Sequence, residues 1–319
     1  MIRVHYIENE PWDREHLSYF KRFTEYLQTK FTIEVKTYKP DEHIDVCVDI
    51  PLFGDKPKIS DVDFVIENTE LKKFKIFSFC EYFHHFLVHW LESDHVDSIH
   101  LGHFSYHWLY DWCKMNNNIK NIHKIKPFTF LSFAPFDPVP LRNQRENDKL
   151  FYLGSGIDGY RKTVQIVHDK GYLQPLRTIR RENYLEHLSK QKIALSHYLD
   201  LNKNVNHYEH TGEFCYRDIE MMALGIPFIR MEFRDSTYDP MLPNIHYIPI
   251  LREKCFVAYE KNGNEGVADL YIEKYLQVKD DTEYLNYISK NQIEWYDRNN
   301  KSPESEIQTY KLLNLKEWE

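Results

Sequence analysis

Two charged residues, Arg217 and Glu220, lie about one helical turn apart and suit a ligand that is both anionic and rich in hydroxyl groups. The first turn of a helix attracts anions through its free N–H groups and its dipole, and Arg217 adds a cation there. We expect Tyr216, Arg217 and Glu220 to contact the ligand. The carboxylate of Glu220 accepts hydrogen bonds from hydroxyl groups. A nucleotide sugar carries a diphosphate and several hydroxyl groups, so this pairing predicts a nucleotide-sugar site.

The residues around this pair predict the elements that position it. Helical spacing runs over 216–224, Gly225 ends the helix, and Pro227 begins a buried apolar strand over 226–229. A short helix followed by a core strand is common in α/β proteins. The functional prediction therefore rests on the two charges and not on the elements themselves.

A buried strand over 192–197 precedes this helix and ends in His197. The carboxyl ends of parallel strands face the ligand crevice of an α/β fold. We therefore expect His197 to contact the donor, while an ordinary histidine at the edge of a sheet fits the same pattern equally well.

A glycine-rich loop over 154–159 has the spacing G-x-G-x-x-G and lies between a predicted strand and a predicted helix. Such a loop lets a diphosphate approach the backbone closely. Cations in the first turn of the following helix oppose the helix dipole, which favours a phosphate ligand there. The expected donor contacts of this region are Gly154, Ser155, Gly156, Arg161 and Lys162.

Residues 150–250 resemble the C-terminal half of GT-B glycosyltransferases, both the group 1 type and the exostosin-like type. The resemblance rests on Glu220, Gly225 and Pro227, which fall on the Glu and Gly-x-Pro positions of both types, and on Arg217, which completes the Arg-x-x-Glu of the exostosin-like type. The family implies that the C-terminal domain holds a nucleotide-sugar donor without a metal ion or other cofactor. It also implies that the N-terminal domain holds a saccharide or another small hydroxylated acceptor, so the expected function is glycosyl transfer.

Strand-like and helix-like segments alternate along the chain, which predicts an α/β protein with mostly parallel sheets. Expected strands lie at 2–7, 31–38, 44–50, 63–67, 74–79, 96–101, 127–133, 149–153, 176–180, 192–197, 226–230 and 245–250, and the last expected helices of the second domain lie at 265–277 and 280–298. The prolines and charges of 134–148 are typical of a connector. Together with the resemblance, this predicts two Rossmann-like domains that face each other across a cleft, over 1–138 and 149–302. A C-terminal helix over 303–319 would then pack back on the first domain.

The stretch 79–112 is rich in histidine and aromatic residues, which suit a sugar acceptor. Inverting transfer needs a base that removes the acceptor proton. Glu81, His100 and His103 lie at the ends of predicted strands of the first domain and are the candidate catalytic residues, while retaining transfer needs no such base. These histidines carry no H-E-x-x-H or C-x-x-C motif, so we expect no metal site.

Composition limits the class of partner and the compartment. The net charge of −8 gives no general attraction to phosphate backbones, which disfavours nucleic acid as a partner. The five cysteines are widely spaced, as in proteins that keep their thiols reduced. Neither a signal peptide nor a long apolar span is visible, so we expect a cytoplasmic protein without a transmembrane segment.

Three alternative functions remain open. An NADP-dependent enzyme would use the glycine-rich loop, with Arg177, Arg180 and Arg181 against the 2′-phosphate. A glycosyltransferase that modifies hydroxymethylated DNA bases would use the same arginines, with Lys190 and Lys192, as a patch that contacts phosphates. A non-catalytic binder of nucleotide sugars would share the fold without turnover.

Overall fold

The structure is a computed structural model in which the chain divides into two compact units, and the second unit spans Phe136–Asn300. The structure describes residues 2–7, 33–38, 74–78, 91–94, 96–102, 113, 119–128, 138–152, 161–174, 181–197, 200–201, 216–232 and 241–299. The helix expected over 303–319 lies outside these residues.

The first unit contains five described strands in two parallel sheets. Strand β1 (Ile2–Ile7) pairs with β2 (Ile33–Tyr38). Strand β4 (Val96–Gly102) lies between β3 (Phe74–Ser78) and β5 (Ile125–Phe128). All three pairings are parallel, as the alternation of strands and helices in the sequence predicts.

The second unit contains a parallel sheet of four short strands. They are β6 (Phe151–Tyr152), β7 (Ala194–Leu195), β8 (Phe228–Met231) and β9 (Ile248–Ile250), and they lie in the sheet in this order. Most side chains in these strands are buried, which explains why each strand appears in the sequence as a short apolar run. The second unit is therefore an α/β structure with a parallel sheet, which is compatible with a Rossmann-like fold.

Five described helices accompany this sheet. They are α1 (Lys162–Asp169), α2 (Arg181–Ser189), α3 (Tyr216–Leu224), α4 (Arg252–Val278) and α5 (Thr282–Asn299). Helix α4 is interrupted at Gly263, which has a φ of 61° and a ψ of −146°. Only glycine adopts this backbone conformation without strain, so two helical segments meet there at a kink.

The core of the second unit forms where helices cover the sheet. Helix α1 packs against α4, and α3 packs against α5. Val164 and Val167 of α1 are completely buried, as is Ala268 of α4, and they join the apolar residues of the strands in one cluster. Burial of this apolar surface is the main favourable term that holds the helices on the sheet.

The end of α3 follows the sequence prediction closely. The Gly225 N–H donates to the Met222 carbonyl at 3.1 Å, and the Ile226 N–H donates to the Met221 carbonyl at 2.8 Å. These two bonds define a Schellman motif, in which the residue after the helix adopts a positive φ. Gly225 has a φ of 67°, so glycine ends the helix here for a conformational reason.

The segment expected to be a connector packs on the second unit. Arg142 Nε donates to the Ala223 carbonyl at 2.9 Å, and its guanidinium forms two bonds to Asp297. Arg145 donates to the Gly225 carbonyl at 3.0 Å and to the Ser289 hydroxyl. The charges of this segment therefore cap the carboxyl end of α3 and link it to α5. The second compact unit of the structure begins at Phe136.

Candidate functional site

An isolated parallel bridge between Leu150 and Leu173 continues the sheet on the other side of β6, so the order of segments across the sheet reverses at β6. Phe151 donates its N–H to the Ile193 carbonyl at 3.1 Å, while the Leu150 carbonyl accepts the Gln174 N–H at 2.9 Å. Successive residues of a strand direct these groups to opposite sides, so Leu173, which bridges Leu150 in parallel, lies on the side away from β7. Ligands of open α/β sheets bind outside the carboxyl ends of the strands at such a reversal.

The carboxylate of Asp200 holds the beginning of α1 at this edge. It accepts the backbone N–H groups of Lys162 and Thr163, the latter at 3.0 Å. The first N–H groups of a helix have no partner inside the helix, and a negative charge complements the dipole there. Asp200 therefore caps α1 from a distant part of the chain.

The beginning of α4 is capped in a similar way. The Arg252 N–H donates to Oε2 of Glu232, which directly follows β8, at 3.3 Å. Carboxylates that follow β7 and β8 thus occupy N–H groups at the start of two helices of the second unit.

His197 lies beside Asp200 and is enclosed by protein, with a side chain that is 6% exposed. Its Nε2 lies 3.0 Å from Oδ1 of Asp200, and its Nδ1 lies 3.4 Å from the hydroxyl of Tyr271. A proton on Nε2 lets the ring donate a hydrogen bond to Asp200. His197 therefore supports Asp200, and the expected contact between His197 and a donor stays a prediction.

The pKa of Asp200 follows from these contacts. Burial by itself would raise the pKa of the carboxyl, but the hydrogen bond and charge of His197 and the N–H of Thr163 lower it. The lowering contacts win, so the pKa lies below the ordinary value of 3.8. Asp200 is therefore a carboxylate at neutral pH.

Arg161 lies at the carboxyl end of β6 and is 7% exposed. Its guanidinium carbon lies 5.9 Å from the centroid of the Tyr152 ring, within the range of a cation–π contact. The Tyr152 hydroxyl donates to the His197 carbonyl at 3.3 Å, which joins β6 to the residues that follow β7. The next residue, Lys162, is exposed.

The first turn of α3 is tied to the carboxyl end of β7 by a buried polar cluster of Ser196, Asp218 and Arg230. Asp218 accepts hydrogen bonds from the Ser196 hydroxyl and from the Arg230 guanidinium. Arg230 Nη1 also donates to Ser196 Oγ at 3.2 Å. Asp218 is 0% and Arg230 1% exposed, so each charge compensates the other away from water. Helix α3 therefore begins at the same sheet edge as His197.

Arg217 and Glu220 lie in the first two turns of α3, and both are half-buried. Oε2 of Glu220 accepts a hydrogen bond of 2.5 Å from the hydroxyl of Tyr184 in α2. The helix that the sequence predicts over 216–224 is confirmed with the same bounds. Its start lies at the edge where an α/β fold binds ligands, while the donor contacts of Arg217 and Glu220 stay predictions.

The structure leaves other candidates outside the described residues. The glycine-rich loop and two candidate bases fall there: Gly154, Ser155, Gly156, Glu81 and His103. His100 lies within β4, and Tyr216 is the first residue of α3. At both positions the structure describes only the backbone. The roles assigned to these residues from the sequence stay predictions.

Two polar residues of this edge carry no local signal in the sequence, and a third carries a weak one. Asp200 lies in a polar stretch, Tyr184 lies in an ordinary helical pattern, and Arg230 interrupts an apolar strand. Arg230 gave the clearest hint, because a charge inside a buried strand needs a partner.

Among the residues that the structure describes, no three or more His, Cys, Asp or Glu side chains are grouped so that they could hold a metal ion. Within the same part of the chain, no helix is long and apolar enough to cross a membrane.

Comparison with known proteins found no family model and no curated protein that matches this chain.

Proposed function

We propose that the protein is a glycosyltransferase that moves a sugar from a nucleotide-sugar donor to a saccharide or another small hydroxylated acceptor. One observation carries the proposal. The bonds of Asp218 bring the start of α3, with Arg217 and Glu220, to the carboxyl end of β7, next to the strand reversal. This edge is where a Rossmann-like fold holds a nucleotide, and the two residues suit a diphosphate and hydroxyl groups.

The occupied helix starts restrict how a diphosphate is held. Asp200 takes two N–H groups of α1, and Glu232 takes one of α4. In the proposed complex the diphosphate therefore lies against Arg217 and the first turn of α3, and Arg161 supplies a second guanidinium. The contacts expected from the sequence for Gly154, Ser155 and Gly156 would add backbone amides. Guanidinium groups and backbone amides neutralise a diphosphate without a metal ion.

The same contacts bear on the NADP alternative. Dinucleotide-binding folds place the pyrophosphate at the start of the helix that follows the glycine-rich loop. In this chain that helix is α1, and the carboxylate of Asp200 already fills the position. A second anion beside Asp200 would be repelled, which favours a nucleotide sugar over a dinucleotide.

The acceptor half of the proposal rests on the sequence. An N-terminal Rossmann-like domain facing the donor domain in a GT-B arrangement would bring the acceptor to the sugar. If transfer inverts the anomeric carbon, His100, His103 or Glu81 takes the proton from the acceptor hydroxyl as the new glycosidic bond forms and the nucleoside diphosphate leaves.

The test is binding of nucleotide sugars to the wild-type protein and to Glu220→Gln. Thermal shift against UDP-glucose, GDP-mannose, dTDP-glucose, CMP-sialic acid and NADP identifies the ligand, and isothermal titration gives its Kd. Loss of one charge-assisted hydrogen bond costs about 1.5–3 kcal/mol, so we expect Glu220→Gln to weaken donor binding about 10- to 100-fold. Glu273→Gln, an exposed carboxylate on α4, is the matched control and keeps wild-type affinity.

Each alternative gives a different result in this panel. Stabilisation by NADP alone would replace the proposal with the dinucleotide reading. Binding of a nucleotide sugar with neither hydrolysis nor transfer to any saccharide would indicate a non-catalytic binder. Transfer to hydroxymethylated DNA, with binding that weakens as salt rises, would move the acceptor class from glycans to DNA.

A further inference from the structure

Helix α2 supplies a hydroxyl to the carboxylate on which the proposed donor site depends. The Tyr184 hydroxyl donates to Oε2 of Glu220 at 2.5 Å, across a separation of 36 residues in the chain. Both side chains are half-buried.

This bond is not needed to fasten α2 to the sheet. Leu188 is completely buried and Ser189 is 2% exposed, which already fixes the second half of the helix. The His187 ring also lies 5.2 Å from the Phe151 ring, between centroids. The contact of Tyr184 therefore acts mainly on the side chain at its other end.

A glutamate on a helix surface has three rotatable side-chain bonds and loses their freedom when it binds a ligand. A tyrosine has two, and its rigid ring holds its hydroxyl in one place. A hydrogen bond from Tyr184 to one carboxylate oxygen therefore fixes the orientation of the other before the donor arrives.

We infer that Tyr184 is a positioning residue of the donor site and acts through Glu220. The inference rests on the proposed function. According to this inference, donor affinity depends on the Tyr184 hydroxyl only while residue 220 carries a carboxylate.

The experiment measures the Kd of the best nucleotide sugar from the panel by isothermal titration, and the thermal midpoint of each variant. We expect Tyr184→Phe to weaken binding about three- to tenfold, the scale of one hydrogen bond. Tyr275→Phe is the matched control. The Tyr275 hydroxyl donates to the Asp148 carbonyl at 2.7 Å, so this variant loses a hydrogen bond that has only a structural role. It lowers the thermal midpoint without changing the Kd.

A double-mutant cycle separates positioning from a merely structural role. In the Glu220→Gln background, Tyr184→Phe should change the Kd less than twofold, because the group it orients has lost its charge. Equal Kd values for wild type and Tyr184→Phe would overturn the inference, as would a full effect in the Glu220→Gln background. Absence of nucleotide-sugar binding to the wild type would overturn the proposed function, and this inference with it.

Discussion

Replacement of Gly225 by alanine tests how tightly the end of α3 is built. Gly225 has a φ of +67°, and a Cβ added to it would lie 2.7 Å from Cδ1 of Ile293 and 2.7 Å from Oγ of Ser289. The Ser289 hydroxyl cannot retreat cheaply, since it donates to the Gly225 carbonyl at 2.6 Å and accepts from Arg145.

The expected cost has two parts. A left-handed backbone costs an L-residue about 1–2 kcal/mol. Forcing a methyl group into the contact with Ile293 and Ser289 adds about 1–3 kcal/mol of overpacking. We expect Gly225→Ala to lower the free energy of unfolding by the sum, about 2–5 kcal/mol.

Gly171→Ala isolates the first part, the cost of the left-handed backbone. Gly171 has a φ of +81° and ends α1, but nothing lies within 4 Å of the Cβ that alanine would add. Its cost should be the backbone term alone, about 1–2 kcal/mol.

Urea unfolding followed by circular dichroism gives both values, and hydrogen exchange of the peptide 216–232 shows where Gly225→Ala acts. Equal destabilisation by the two variants would refute the steric argument. An unaltered midpoint for Gly225→Ala would refute the geometry at the end of α3.

Two further predictions concern ionisable groups. The pKa of Asp200 is lowered in the folded state, so its contribution to stability is present above its unfolded value of 3.8 and is lost as the pH falls through the lower folded value. Asp200→Asn should therefore lower the free energy of unfolding by about 1–2 kcal/mol near pH 7. Below about pH 4 the urea midpoint of the variant should fall less steeply than that of the wild type. A constant difference between the two proteins across that range would contradict the assignment. Burial, with a contribution from Glu232, raises the pKa of the Cys255 thiol to about 12. Residue-resolved mass spectrometry should find Cys255 unmodified by iodoacetamide at pH 8 unless urea is added, whereas rapid native alkylation would show that its surroundings are open.

Local signals explain what the sequence predicted well. The bounds of α3 and its stop at Gly225 depend on helical spacing and on one glycine, both visible within ten residues or so. The bounds of β1 were also predicted correctly, because apolar and polar residues alternate along this strand. The beginning of α4 was missed, since the polar stretch around Gly263 resembles a loop, whereas in the structure it is a kink between two helical segments.

The site residues that the sequence did not reveal all depend on contacts between distant segments. Asp200 caps α1 across 37 residues or more, and Tyr184 reaches Glu220 across 36. Neither type of residue is unusual where it stands in the chain. Strand order decides which polar residues meet at a sheet edge, and periodicity within a segment does not contain that order.

The buried pair of Asp218 and Arg230 limits how the amino-acid sequence of this chain can evolve. Removal of either partner alone leaves an uncompensated charge in the core and costs about 3–5 kcal/mol. Replacement of both by apolar residues of similar volume is far cheaper. The two positions, 12 residues apart, should therefore vary together, and each single replacement should be rare in descendants of the chain. Paired substitution at 218 and 230 is thus a fingerprint by which remote relatives can be recognised after overall similarity has faded.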